Sequence, residues 1–257
     1  MNKYKVIVGI EFEAEYNPQI LGQLSENIHH AKNGWCKFLD NNYFKCEEDG
    51  SLRTQKFTDT VEIISIPIEL NKIKTILKSF QQSIFNKVGK QIAFNQIFNM
   101  NKTCGCHVHI SILNCDTKYR YEIYDNTREE VFDFIGQPYD IKDALSDDFM
   151  DIFRTKLHKK IKQTLKSVYP SFNKYYFRKF AQDKNITDTR LDPRYIEYYY
   201  HNDERCEYRS FNLIGVKTWN EFFKMFDIFK TTLHKTLKLS INTKNNTIHS
   251  ARIKNGR

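Results

Sequence analysis

The chain of 257 residues contains no apolar run approaching the roughly 20 residues of a bilayer-crossing helix, so no membrane span and no membrane partner is expected. A secretory pattern is lacking too: Met1 to Ile10 begins like a short apolar core, but Glu11, Glu13 and Glu15 interrupt it and no small-residue cleavage site follows. Cysteines number only six and are widely spread (Cys36, Cys46, Cys104, Cys106, Cys115, Cys206), which argues against a dense disulfide framework and fits reduced thiols in a cytoplasmic protein. No Pro/Gly/Ser-rich linker divides the chain and no fixed-period repeat recurs. One domain over 1–240 is therefore expected, followed by a basic polar tail over 241–257 without periodicity. Acidic residues are absent from Arg154 to Lys179, a stretch that also holds Lys156, Lys159, Lys160, Lys162, Lys166, Lys174 and Arg178.

What is present supports a folded, basic protein. Hydrophobic residues at 40%, with aromatics at 14%, suffice for a substantial core. Lys+Arg 40 against Asp+Glu 31 leaves a net charge of +9, which favours anionic partners: nucleotides, carboxylates or nucleic acid. For the acid-free stretch a solvated helix face is the plainer reading, and a nucleic-acid groove the other.

Val6, Val8, Ile10 and Phe12 alternate with partly polar neighbours, the period of a strand over about 4–15. Helical character is expected from Pro18 to Ala31, a short strand over 43–46 ending at Asp49-Gly50, and a strand over 60–66 stopped by Pro67. Ile73, Ile76, Leu77, Phe80 and Ile84 recur at helical spacing, and Cys106 to Leu113 alternates again. Helices are expected at 119–135 and 148–168, a hairpin from 194–200 and 205–212, and a helix over 218–239 with Phe222, Phe226, Phe229, Leu233 and Leu237 in one stripe. Strands and helices mix without βαβ alternation, so the expected class is α+β with a mainly antiparallel sheet.

Residues two apart on a strand share a face, and polar pairs recur at that spacing: Glu11/Glu13, His107/His109 and Glu207/Arg209. Glu62 stands inside the apolar run 61–66, where a charge needs a partner or a cation. Divalent magnesium would relieve the repulsion among such carboxylates and bridge to phosphate oxygens. Each pair alone has a plainer explanation as half-exposed strand surface; four strands presenting suitable groups together point to one site. Arg194 and Arg205 are further candidates for carboxylate or phosphate contacts, because guanidinium binds both in a fork.

Gly9-Ile10-Glu11-Phe12-Glu13, Asp49-Gly50-Ser51-Leu52, Val61-Glu62-Ile63-Ile64-Ser65, Gly105-Cys106-His107-Val108-His109-Ile110-Ser111 and Cys206-Glu207-Tyr208-Arg209-Ser210-Phe211 occur in that order. In this order they resemble the amidoligases, relatives of glutamine synthetase and glutamate–cysteine ligase. The resemblance spans about residues 6–235 and implies a curved antiparallel sheet with helices on its outer face, holding ATP and magnesium or manganese. It also implies that Glu11, Glu13, Glu62, His107 and Glu207 hold metal and that Glu62, Glu207 and Arg209 serve catalysis, Arg209 by stabilising the transferred phosphoryl group. By the same token His109, with Ser111 and Arg205, faces the nucleotide, while Asp49, Ser51 and Arg194 meet the substrate. The implied activity joins a carboxylate to an amine through an acyl phosphate.

Two other readings compete. His109-Ile110-Ser111-Ile112 fits one half of a two-histidine phosphodiesterase, but the second such strand is missing, since His234-Lys235-Thr236 lies in a helical stripe. The basic stretch and the many tyrosines suit a metal-dependent nuclease or nucleic-acid-binding protein, which the carboxylates on the strands disfavour. Cys104-Gly105-Cys106-His107 lacks the second pair that a zinc site requires.

Overall fold

In the computed structural model, residues 4–22, 24, 43–47, 52–101, 103–124, 129–136, 138–165, 198–200, 204–211 and 213–254 are described. The first strand, β1 (Tyr4–Tyr16), is followed by α1 (Pro18–Leu21), β2 (Phe44–Glu47), β3 (Asp59–Ser65), β4 (Ile68–Glu69), α2 (Ile73–Val88), α3 (Phe94–Ile97) and β5 (Phe98–Asn99). Then come β6 (Cys106–Asn114), β7 (Lys118–Tyr124), β8 (Glu129–Ile135), α4 (Ile141–Ala144), α5 (Asp147–Leu165), β9 (Tyr198–Tyr200), β10 (Cys206–Phe211) and α6 (Trp219–Lys254). The class is mixed helix and sheet, and every strand pair is antiparallel.

The main sheet runs β2-β3-β1-β6-β10-β9, with β4 and β5 also pairing to β1. Strand parity divides its residues. Val6, Val8, Ile10, Phe12 and Ala14 of β1 and Cys106, Val108, Ile110 and Ile112 of β6 all lie in the core. Helices α2 and α6 cover that face. Phe12 meets Phe80 of α2 edge-on at 5.9 Å and Phe222 of α6 at 5.5 Å. Phe153 of α5 packs 5.5 Å from Tyr208 of β10 and 5.6 Å from Phe229 of α6.

The ends of α2 and α6 follow from local chemistry. Gly89 at φ +73 caps α2 in the left-handed conformation that suits glycine. Glu221 closes the start of α6: its Oε2 accepts from Lys217 N at 2.8 Å and Thr218 N at 3.0 Å, while Thr218 Oγ1 accepts from Glu221 N at 3.3 Å.

Three expectations about elements need correction. Residues 119–135 form no helix; β7 and β8 pair from Lys118↔Ile135 to Tyr124↔Glu129. Tyr119, Tyr121 and Ile123 alternate at strand period on β7, as Phe132 and Phe134 do opposite them on β8, and Arg120 reaches Asp133 across the pair at 2.9 Å. The helix at Pro18 stops at Gly22, with φ 72, Leu24 is not helical, and residues 25–31 of that expected element lie outside the described residues. The last helix continues past Ser240 to Lys254, because no glycine or proline interrupts the segment.

Candidate metal and phosphate site

On the sheet face away from the helices, register sets the polar residues side by side. Glu11 of β1 lies opposite His107 of β6, and Glu13 opposite Glu62 of β3. Glu62 in turn faces Glu47 of β2, and Glu207 of β10 faces His109. Neighbouring strands stand about 4.7–4.9 Å apart, so these groups lie within reach of shared ligands.

His107 Nδ1 is 2.6 Å from Glu11 Oε1 and 3.3 Å from Glu207 Oε1. His109 Nε2 is 3.4 Å from the other Glu11 oxygen. Arg209 grips Glu207 with two nitrogens, Nε to Oε1 at 2.7 Å and Nη2 to Oε2 at 2.9 Å. A bulge between Tyr208 and Phe211 interrupts the pairing of β10 with β6 at this point.

Burial would push the Glu11 carboxyl up, but hydrogen bonds and charge from His107 and His109 outweigh it and hold it well below the usual carboxylate range. Burial likewise opposes the His107 imidazolium, yet its bond to Glu11 and the charges of Glu11, Glu207 and Glu13 raise its pKa. Glu11 and His107 thus behave as an ion pair. Burial, reinforced by Glu11 and Glu13, pushes the Cys106 thiol well up, and burial pushes Cys104 up to about 11. Neither cysteine is a ready thiolate for zinc.

Two groups have ligand atoms within 4.8 Å of one another: Glu11, His107 and Glu207, and Glu11, Glu13 and Glu62. Their oxygen-rich donors with a single imidazole suit magnesium or manganese better than a soft thiolate metal. Glu11 belongs to both groups.

Gly105 makes room for the site. Its backbone bonds Glu13 twice: Glu13 N donates to Gly105 O at 3.0 Å, and Gly105 N donates to the Glu13 side-chain Oε2 at 2.5 Å. A Cβ there would stand 2.6 Å from His107 Nε2.

The other expected residues divide. Ser111 is buried on the same face, opposite Ile7 and two residues beyond His109, and belongs to neither ligand group. Arg205 is exposed just before β10. Asp49, Ser51 and Arg194 lie outside the described residues.

Sequence reasoning missed Lys45 and Glu47 of β2, which form an ion pair at 2.9 Å. Their K-x-E spacing repeats the logic of Glu11/Glu13, but the strand was ended at Cys46. Glu15 continues the Glu11/Glu13 series with a different role. It is fully buried and accepts from Lys56 N at 2.6 Å, Phe57 N at 2.9 Å, Asn99 Nδ2 at 3.1 Å and Asn101 Nδ2, tying loop 55–58 to β1.

No protein-family model matches the sequence, and no curated protein matches it. Among solved structures, glutamine synthetase of Plasmodium falciparum is similar at 12% identity and a TM-score of 0.39, over 90% of this chain and 52% of that one. The chain therefore spans about half the length of that protein.

Proposed function

We propose that the chain is an ATP-dependent carboxylate–amine ligase whose catalytic domain is residues 1–240. The observation that carries this reading is the charge on one sheet face: Glu11, Glu13, Glu47, Glu62 and Glu207 stand together against Lys45, Arg209 and a single raised-pKa histidine. Such a face favours cations, and the two donor groups sharing Glu11 fit a pair of them. The order of sequence motifs that resembles the amidoligases supports the same reading.

Magnesium or manganese held by Glu11, Glu13, Glu62, His107 and Glu207 would supply neutralisation of the ATP phosphate oxygens. Arg209, oriented by its ion pair and hydrogen bond with Glu207, compensates charge on the phosphoryl group in transit between ATP and a substrate carboxylate. Glu11 touches His107 with one oxygen and His109 with the other, which would fix His107 as a metal ligand and turn His109 toward the ATP phosphates. An amine, from ammonia, an amino acid or a protein side chain, then displaces phosphate from the acyl phosphate and leaves an amide. Substrate recognition is assigned to Asp49, Ser51 and Arg194, with Ser111 and Arg205 toward the nucleotide.

The test is phosphate release from ATP with Mg²⁺ or Mn²⁺ and a panel of acids and amines, with products identified by mass spectrometry. Acid- and amine-stimulated release is expected, and Glu11→Ala or Glu207→Ala should abolish it in a protein that still folds. Undiminished release in both variants would overturn the assignment.

A further inference from the structure

Helices α5 and α6 lie on the sheet face opposite the carboxylates, as the contacts of Phe153 with Tyr208 and Phe229 require. On α5 the buried stripe is Met150, Phe153, Leu157 and Ile161, which leaves Lys156 and Lys160, one turn apart, along one flank. On α6 the buried Met225, Ile228, Thr232 and Thr236 border a flank that carries Lys224 and Lys235, three turns or about 16 Å apart. The two helices pack together, with Phe153 of α5 5.6 Å from Phe229 of α6, and burial, then the charges of Lys235 and Lys224, depress the Lys160 pKa.

Most of the described acidic groups of these helices are engaged elsewhere. Asp151 lies 3.5 Å from Arg154, Asp227 lies 2.8 Å from Lys74, Glu221 caps α6, and Asp148 sits in the first turn of α5. Among the described residues none of Lys156, Lys159, Lys160, Lys224 and Lys235 forms an ion pair. Two histidines on these helices are disfavoured as cations, mainly by burial. His158 is pushed down to about 4 by burial and Arg154, and His234 is lowered by burial and Lys230.

We propose that this seam docks duplex nucleic acid through its phosphodiester backbone, with Lys156, Lys160, Lys224 and Lys235 as the contacts. Lys224 and Lys235 stand about 16 Å apart along α6, so the charges are spread in a strip, which suits a repeating polyanion better than one nucleotide. Lysines act as point charges without a fixed fork and so favour sequence-independent phosphate contact. No aromatic side chain is exposed among the described residues of the two helices, so the strip offers no stacking platform for single strands. Ile152, at 50% exposure, is the one large apolar side chain exposed there among those residues, too little for insertion into a lipid surface.

The experiment is fluorescence anisotropy of a labelled duplex DNA of arbitrary sequence, in EDTA, across a salt titration. Four phosphate contacts predict a log–log salt slope of about −3 to −4 and a loss of roughly a hundredfold between about 50 and 200 mM salt. Joint replacement by glutamine (K156Q, K160Q, K224Q and K235Q) should weaken binding at least about tenfold and flatten the slope, while arginine at all four positions retains it. ATP-dependent phosphate release should be unchanged in the glutamine variant, and DNA binding unchanged in Glu11→Ala. The proposal is overturned by no duplex binding at the lowest salt, by equal affinity of the glutamine variant, or by binding to phosphatidylserine vesicles without binding to DNA.

Discussion

Adding one methyl group at Gly105 tests how tightly the site is built. The new Cβ would stand 2.6 Å from His107 Nε2, 3.2 Å from Cε1 and 3.4 Å from Glu13 Oε1. Comfortable contact is about 3.5–4.0 Å, so the imidazole would have to retreat by roughly 1 Å or more. A free side-chain tip could do so at little cost. This ring cannot, because Nδ1 on its other side is 2.6 Å from Glu11 and 3.3 Å from Glu207. Overpacking costs about 1–3 kcal/mol, and the backbone at Gly105 has no positive φ, so alanine recovers about 0.4–1 kcal/mol from the unfolded chain.

The net expectation for Gly105→Ala is a loss of about 1–2 kcal/mol, or roughly 2–8 °C in Tm for a chain of this size. In a His107→Ala background the obstruction is gone, and the same alanine should be neutral or stabilising by about 0.4–1 kcal/mol. A double-mutant cycle by denaturant unfolding should therefore return a coupling of about 1.5–3 kcal/mol. Additive costs within about 0.3–0.5 kcal/mol would refute the claim that Gly105 exists to seat the His107 ring.

Truncation of Phe12, fully buried against Phe80, Phe98 and Phe222, should cost about 3–5 kcal/mol in Phe12→Ala, read from the denaturation midpoint. Burial would raise the Glu15 carboxyl, but donors from Phe57, Asn101, Lys56 and Gln55 lower it below its ordinary value of 4.5. Its stabilisation is therefore present above that value and lost as pH falls through the lower folded pKa. Glu15→Gln should flatten acid unfolding and cost about 1–3 kcal/mol at neutral pH. Arg209→Lys should lower kcat by roughly a hundredfold with little change in KM for ATP, since the planar fork matters most to developing charge. Mg²⁺ or Mn²⁺ at about 100 times Kd should stabilise the folded chain by about 2.7 kcal/mol in calorimetry, and Glu11→Ala should erase the shift.

Parity made much of this legible. The alternations over 4–15 and 106–113 name the residues that reach the core and, by exclusion, those on the acid face, because side chains two apart cannot leave their side of a sheet. The helical stripe Ile73 to Ile84 is buried as its spacing requires. Partners across strands were less accessible: that Glu13 faces Glu62 and that Glu62 faces Glu47 are facts of register between distant segments. Residues 119–135 misled because charges interleave with aromatics, a pattern that a half-exposed hairpin and a surface helix share over short windows. Glu15 reads like a third ligand until its donors are seen, and nothing local to the chain announces Asn99 and Asn101 as its partners.

The same parity that builds the core also concentrates the charge. Each strand that sends Ile10, Ile63, Val108 or Tyr208 into the helices must send Glu11 or Glu13, Glu62, His107 and Glu207 the other way. Repulsion on that face cannot be relieved by moving one carboxylate, because a one-residue slip would expose the apolar set of the whole strand. Relief has to come from groups that arrive on the face: Lys45 for Glu47, Arg209 for Glu207, and the His107 proton for Glu11. The bulge at Arg209 fits this logic, since it interrupts the ladder at the one strand whose basic side chain turns back along its own backbone to grip Glu207. A fold held by its opposite face can keep this one crowded with like charge, and such an acidic face is one that gains by taking up cations.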